Sequence, residues 1–274
     1  MAFKYTNKLQ GRRVLVMGGS SGIGFAVAEA AVEHGALVTI SSSNQTKLDK
    51  AVSRLQAHAR AVGLSPDTIT AKTCDLSQPD ALDANVTALL AYATQNGTNK
   101  LDHVVFTAGD GLATGELANV QVAQLQRMNN VRHLGAIILA KHLPAYVHAS
   151  PRSSLTLTTG TQSRRPVPSF SVIAGNSAGV EGLARGFAVA LAPVRVNSVM
   201  PGAVRTELFG AVPEDQLPGM LEIFKRDSLL GTVGTPEELA EAYVYLMKDS
   251  FATGTTVVSD GGRLVGDRKE VFRF

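Results

Sequence analysis

The sequence predicts an α/β protein built on a doubly wound parallel sheet of about seven strands, with helices on both faces. Three observations carry this. Short runs rich in Val and Ile recur along the chain, each too short for a helix and apolar enough to be buried on both faces. Stretches with helical apolar spacing separate them, and strand–helix–strand repetition closes as a parallel sheet with right-handed crossovers. A glycine-rich turn follows the first run directly.

The first run, 13–17 (RVLVM), leads into Gly18-Gly19-Ser20-Ser21-Gly22-Ile23-Gly24, then a helix with Ile23, Val27, Ala30 and Ala31 on one face. Glycines 18, 22 and 24 let the chain turn sharply and bring its backbone close to a pyrophosphate. The helix N-terminus adds N–H groups and a favourable dipole. The second run is 36–40 (ALVTI), and a weaker one lies at 68–73. Leu82, Val86, Leu89 and Leu90 then repeat at helical spacing before 102–106 (DHVVF). The remaining runs are 154–158 (SLTLT), 194–199 (VRVNSV) and 255–258 (TTVV). Segment 200–235 breaks the rhythm, with Pro201, Pro213, Pro218 and Pro236 around short helical pieces such as 214–226. A long excursion between strand and helix reads as a substrate lid, here at about 203–230. With no linker tract and no internal repeat, residues 1–274 read as a single domain.

Composition bounds the partners. Twenty-six Lys and Arg against twenty-three Asp and Glu leave +3, spread along the chain. Arg164–Arg165 and the tail residues Arg268, Lys269 and Arg273 are too few for a nucleic-acid stripe. Apolar stretches such as Leu134–Ala140 fall far below the ~18 residues of a membrane span. The start, MAFKYTNKLQGRR, has no secretory apolar region. The single Cys74 forms no internal disulfide and fits a reducing compartment, so a soluble, cytoplasmic protein acting on a small molecule is expected. The histidines lack metal-ligand spacing.

The turn's Gly-x-x-x-Gly-x-Gly spacing resembles the start of the short-chain dehydrogenase/reductase superfamily, and the resemblance extends over nearly the whole chain. Cys74-Asp75-Leu76 resembles the segment whose Asp meets adenine, and Thr107-Ala108-Gly109 the Asn-Ala-Gly turn after strand four. Val194-Arg195-Val196-Asn197, then Pro201-Gly202-Ala203-Val204-Arg205-Thr206, resemble the strand-six signature that lines the nicotinamide. Gly234-Thr235-Pro236-Glu237-Glu238 and Asp260-Gly261-Gly262 resemble the closing motifs. The resemblance implies a Rossmann-type fold, a nicotinamide dinucleotide cofactor and a homo-dimer or homo-tetramer. It also implies a cofactor site at Gly18, Ser20, Ser21, Gly22, Ile23, Gly24, Asp75, Leu76, Thr107, Ala108, Gly109, Pro201, Gly202, Val204 and Thr206.

Which dinucleotide binds follows from charge. NAD-selective sites place a carboxylate on the ribose hydroxyl after strand two. Here the strand ends Ile40-Ser41-Ser42-Ser43-Asn44, with Lys47 a turn later. No carboxylate repels a 2′-phosphate, and Ser41, Ser42, Ser43 and Lys47 can bind one, which favours NADP(H). The same residues also suit a strand-to-helix turn with a Ser or Asn cap.

Members of this superfamily ordinarily use a Tyr-x-x-x-Lys pair, a Ser on strand five and an Asn in the fourth helix. Hydride delivery to a carbonyl creates an alkoxide that needs a proton, and a Tyr phenol of pKa about 10 supplies it once a Lys lowers that value. Anchored on Gly179-Val180-Glu181-Gly182-Leu183, Ile173 falls in the Tyr position and Ser177 in the Lys position. Gly160 falls where the Ser would be, and Arg132 takes the Asn position, with Gly135 and Lys141 in register. The five tyrosines are followed four residues on by Leu9, Asn96, Ser150, Met247 and Asp249, so the pair is absent from the whole chain.

Three readings remain. An already electrophilic substrate such as an iminium needs no acid, because hydride itself neutralises the charge. A cofactor-bound cyclase or isomerase needs only orientation and electrostatics. A non-catalytic dinucleotide-binding protein needs neither. Arg132 favours an enzyme, since a buried guanidinium is costly unless paired, either with an anionic substrate group or with a carboxylate such as Asp110. The pattern is similar to atypical fungal short-chain dehydrogenase-like enzymes of prenylated indole alkaloid pathways. That group has lost the Tyr-Lys pair, carries an Arg in the fourth helix, and couples iminium reduction to cycloaddition. It also uses an Asp after strand five, whereas 161–172 here contains no acid. Asp110, at the carboxyl edge of strand four, is the second catalytic candidate, suited to steady a cation or shuttle a proton. Thr158, Thr159 and Thr161 surround the missing Ser but suit a strand. His133 projects about 100° from Arg132 on a helix, and Arg164–Arg165 read as a solvated surface. The leading expectation is an NADP(H)-dependent reductase of an activated electrophile in specialised metabolism, with Arg132 orienting the substrate.

Overall fold

The computed structural model describes residues 4–109 and 117–267. Strands β1 (Arg13–Met17), β2 (Leu37–Ser42), β3 (Ile69–Thr73), β4 (His103–Phe106), β5 (Ser154–Thr158), β6 (Arg195–Pro201) and β7 (Thr256–Ser259) form a parallel sheet. Their order is β3-β2-β1-β4-β5-β6-β7. Each lies within two residues of the run that predicted it. β2 extends past Ile40 because Ser41 and Ser42 continue the ladder, opposite Lys72 and Thr73 of β3.

Central β1 shows why the sheet is covered on both faces. Val14 and Val16 point into one core, built with Phe25 and Val27 of α1 (Gly22–Glu33), Leu48 and Leu55 of α2 (Gln45–Ala61), and the helix Pro236–Lys248. Leu15 and Met17 point into the other, with Val86 and Leu89 of α3 (Pro79–Ala93) and two later helices. Alternate residues on one strand therefore anchor opposite layers. Helix starts follow local chemistry. Asn44 Oδ1 accepts from Lys47 N at 2.9 Å, the cap expected from the sequence.

The expected fourth helix is two helices, α4 (Val122–Asn129) and α5 (Gly135–Tyr146), joined by a π-helical turn over Asn130–Leu134. Such widened turns change which side chains face a neighbour, and Arg132 lies on this one. The helix expected to carry Tyr and Lys is α6 (Ser171–Ala190). In the lid, a 3₁₀ turn (Glu207–Ala211) precedes α7 (Leu217–Arg226), which has no buried residue, and Phe209 stacks on Phe224 with ring centres 5.8 Å apart. The last helix, α8 (Pro236–Lys248), opens with a capping box: Glu238 N donates to Thr235 Oγ1, and Thr235 N to Glu238 Oε2. No helix among the described residues is long and apolar enough to cross a membrane.

Candidate active site

The glycine turn after β1 is met by the end of β2 and by the segments that follow β4 and β6. Gly18 has φ +88°, and its N–H and that of Gly19 donate to the Ser41 carbonyl at 2.9 and 3.0 Å. A Cβ on Gly18 would stand 2.6 Å from Ala108 N, and one on Gly24 would strike the Gly18 carbonyl and the Thr107 hydroxyl. The Thr107-Ala108 turn is thus packed into the glycine turn, and Thr107 fastens it by donating from N and Oγ1 to the Met17 carbonyl. This backbone cradle, built of glycines and closed by the N-terminus of α1, fits a dinucleotide pyrophosphate. Ser21 precedes α1 without a side-chain cap, half-buried Ile23 packs against the first core, and Ser20 Oγ donates to Ser42 Oγ at 3.0 Å.

The 2′-phosphate candidates separate. Ser41 is buried and serves the turn through its carbonyl, whereas Ser43 and Lys47 stand exposed at the rim beside half-buried Ser42. Asp75 Oδ1 accepts from Ser77 N at 2.9 Å, and buried Leu76 packs beside Gly135. Below β6, Pro201 ends the strand and Gly202 N donates to the Ser259 carbonyl; a Cβ on Gly202 would lie 2.8 Å from Asp260 Cα. Val204 is buried and bridged to Gly234, and Thr206 lies over Gly22, 3.2 Å from where a Cβ would be.

The positions left by the missing acid come together. A Cβ on Gly160 would sit 3.6 Å from Ser177 Oγ, and Ile173 and Ser177 are both buried on α6. Arg132 is carried by the π-helical turn to the end of β4, where a Cβ on Gly109 would collide with its guanidinium. Asp110, its candidate partner, lies outside the described residues. His133 points to α6, with Nε2 2.9 Å from the Asn176 carbonyl. Two threonine hydroxyls are committed to structure: Thr158 donates to the Phe106 carbonyl and pairs with Tyr243 Oη at 2.8 Å, and Thr159 donates to the Ser177 carbonyl; Thr161 is buried. Tyr243 is wholly buried, and burial raises its phenol further above the ordinary value, which removes it as an acid. Burial, then Asp75, pushes the Cys74 thiol up to about 12, so it is no nucleophile.

Arg164 is exposed and Arg165 half-buried, so both keep the solvent contact expected of them, and each is also ion-paired. Arg164 binds Glu181 at 2.8 Å, while Ser163 donates to the same buried carboxylate. Arg165 pairs with Asp227 at 3.3 Å and with Asp267, and Arg263 holds Asp227 from the other side. Glu181 and Asp227 went unremarked as partners in the sequence, because nothing local distinguishes a carboxylate that will meet a distant Arg. Glu207, which accepts from Gly22 N at 2.8 Å, was missed for the same reason.

A family model described as an SDR-like Rossmann domain matches residues 5–265. The chain belongs to the short-chain dehydrogenase/reductase family. The short-chain dehydrogenase/reductase malC of Malbranchea aurantiaca is 41% identical over 257 residues, covering 94% of this chain and 96% of that protein. The short-chain dehydrogenase/reductase ucsE of an Acremonium species is 40% identical over 269 residues, covering 97% and 100%. Among solved structures, the MalC reductase/Diels-Alderase superposes with a TM-score of 0.87 at 40% identity, covering 95% of this chain and 99% of that one. A small-chain dehydrogenase solved in complex with NADPH superposes with a TM-score of 0.73 at 27% identity, covering 94% and 100%.

Proposed function

We propose that this short-chain dehydrogenase/reductase is an NADP(H)-dependent reductase of an activated electrophile, an imine, iminium or similarly polarised group, in fungal specialised metabolism. The observation that carries the reading is the packed set Gly160, Ile173 and Ser177 where the acid and its helpers would stand, with the Arg132 guanidinium brought against Gly109. Such a site has no phenol to protonate an alkoxide, so it suits a substrate whose reduction needs no proton.

The glycine turn and the Thr107–Gly109 turn would hold the dinucleotide, and Ser42, Ser43 and Lys47 at the rim would take the 2′-phosphate. The reduced nicotinamide supplies a hydride. On an iminium, the new C–H bond forms as the C=N π pair becomes the nitrogen lone pair, which balances the step without an acid. Arg132 orients the substrate through an anionic or acceptor group, and Phe209, Phe224 and the rest of the lid enclose it. The compartment fits the cytoplasm. The assembly fits a homo-oligomer.

Steady-state assays with a cyclic imine and with a simple ketone test this. NADPH oxidation with the imine, little with the ketone, and a turnover loss in Arg132→Ala larger than its loss of NADPH affinity are expected. Unchanged turnover in that variant removes Arg132 from the mechanism. The similarity to a reductase/Diels-Alderase supports a second reading, cyclisation without redox change, although 161–172 contains no acid. Product formed with NADP⁺ and no change in nicotinamide absorbance would favour it.

A further inference from the structure

We propose that Glu207 of the lid competes with the dinucleotide pyrophosphate for the first N–H of α1, and thereby sets cofactor affinity from the lid. The proposal rests on the cofactor reading above. Its origin is one hydrogen bond across 185 positions of sequence: Gly22 N donates to Glu207 Oε2 at 2.8 Å. Gly22 opens α1, and Ser21 before it provides no side-chain cap. The N-terminus that a phosphate would use has therefore found an anion within the chain.

The carboxylate is held there by the lid's base. Gly234 N donates to the Ala203 carbonyl at 3.0 Å, and Arg205 N to the Gly234 carbonyl at 2.9 Å. Val204 between them is buried, and Thr206 rests on Gly22, whose φ of +52° keeps the turn open to it. Glu207 thus follows directly on an anchored stretch of backbone and reaches the glycine turn.

A carboxylate and a pyrophosphate are both favoured at a helix N-terminus, but one N–H cannot serve both anions, and the two repel at contact distance. Cofactor binding must displace the Glu207 carboxylate, so the apparent affinity is reduced by the fraction of molecules in which the contact is made. An exposed carboxylate at a helix N-terminus favours its bound position by about two- to fivefold, so about one molecule in three to one in six is free of the contact and the affinity cost is about three- to sixfold.

Calorimetric titration of NADPH and of adenosine 2′-phosphate into wild type, Glu207→Gln and Glu207→Ala tests the proposal, with thermal unfolding of each protein as a check on the fold. The smaller ligand keeps adenine, ribose and the 2′-phosphate but has no pyrophosphate. NADPH is expected to bind about three- to sixfold tighter to both variants, with the adenosine 2′-phosphate affinity the same in all three. Equal or weaker NADPH binding by the folded variants overturns the proposal, as does an equal gain for both ligands. Wild type that binds no NADPH overturns the cofactor reading itself.

Discussion

At Gly109 a hydrogen in place of a methyl decides where Arg132 lies, because a Cβ there would occupy the guanidinium's position. Gly109→Ala is expected to displace Arg132 and lower turnover by about 10- to 100-fold, the scale on which small misplacements cost rate. If that loss acts through Arg132, the double variant Gly109→Ala/Arg132→Ala is no slower than Arg132→Ala alone. Additive losses would show that Gly109 acts independently. Arg132 was legible as an oddity because a charged residue stood where the family pattern has a neutral one. Its meeting with Gly109 was not legible, since it depends on the π-helical turn over Asn130–Leu134, which no apolar period announces.

Among elements, β6 and α8 are joined by one buried cation. Arg195 donates to the carbonyls of Pro151, Leu246, Met247 and Ala252, so its guanidinium closes the carboxyl end of α8. Positive charge complements a helix C-terminus, and buried carbonyls left without donors are expensive. Arg195→Met is expected to lose about 3 kcal/mol or more in denaturant unfolding. NADPH affinity of the folded protein should hold, because Arg195 begins β6 and the cofactor cradle lies at the strands' other end. A loss below 1 kcal/mol, about the size of one ordinary hydrogen bond, would refute the role. The neighbouring Asn197 receives Thr255 N and donates to the Ala252 carbonyl, so the signature around it works as a brace for β7.

Over the whole molecule, stability should fall in acid through a group far from the cofactor cradle. His103 is buried on β4 with Nδ1 2.9 Å from Ser154 Oγ, and burial lowers its pKa to about 3. The folded state therefore keeps it neutral where the unfolded chain, with a pKa near 6.5, takes up a proton. Unfolding is favoured as pH drops below about 6.5, by about 2 kcal/mol at pH 5, and the loss continues toward pH 3. Urea unfolding of wild type and His103→Gln at pH 7.5 and pH 5 measures this. The variant should lose less stability than wild type over the interval, and equal losses would exclude His103 as the source.

The sequence by itself determined the parallel sheet, the glycine turn and the absence of the Tyr-Lys pair. Apolar runs, helical spacing and residue identity are local quantities, and a buried parallel strand such as RVLVM admits few other readings. The tertiary structure decided which polar groups meet: Arg164 with Glu181, Arg165 and Arg263 with Asp227, Glu207 with Gly22. Each pair spans many residues. A carboxylate on a solvated face and one destined for a distant Arg or a helix N-terminus are the same letter in sequence; only the packing that brings the segments together separates them.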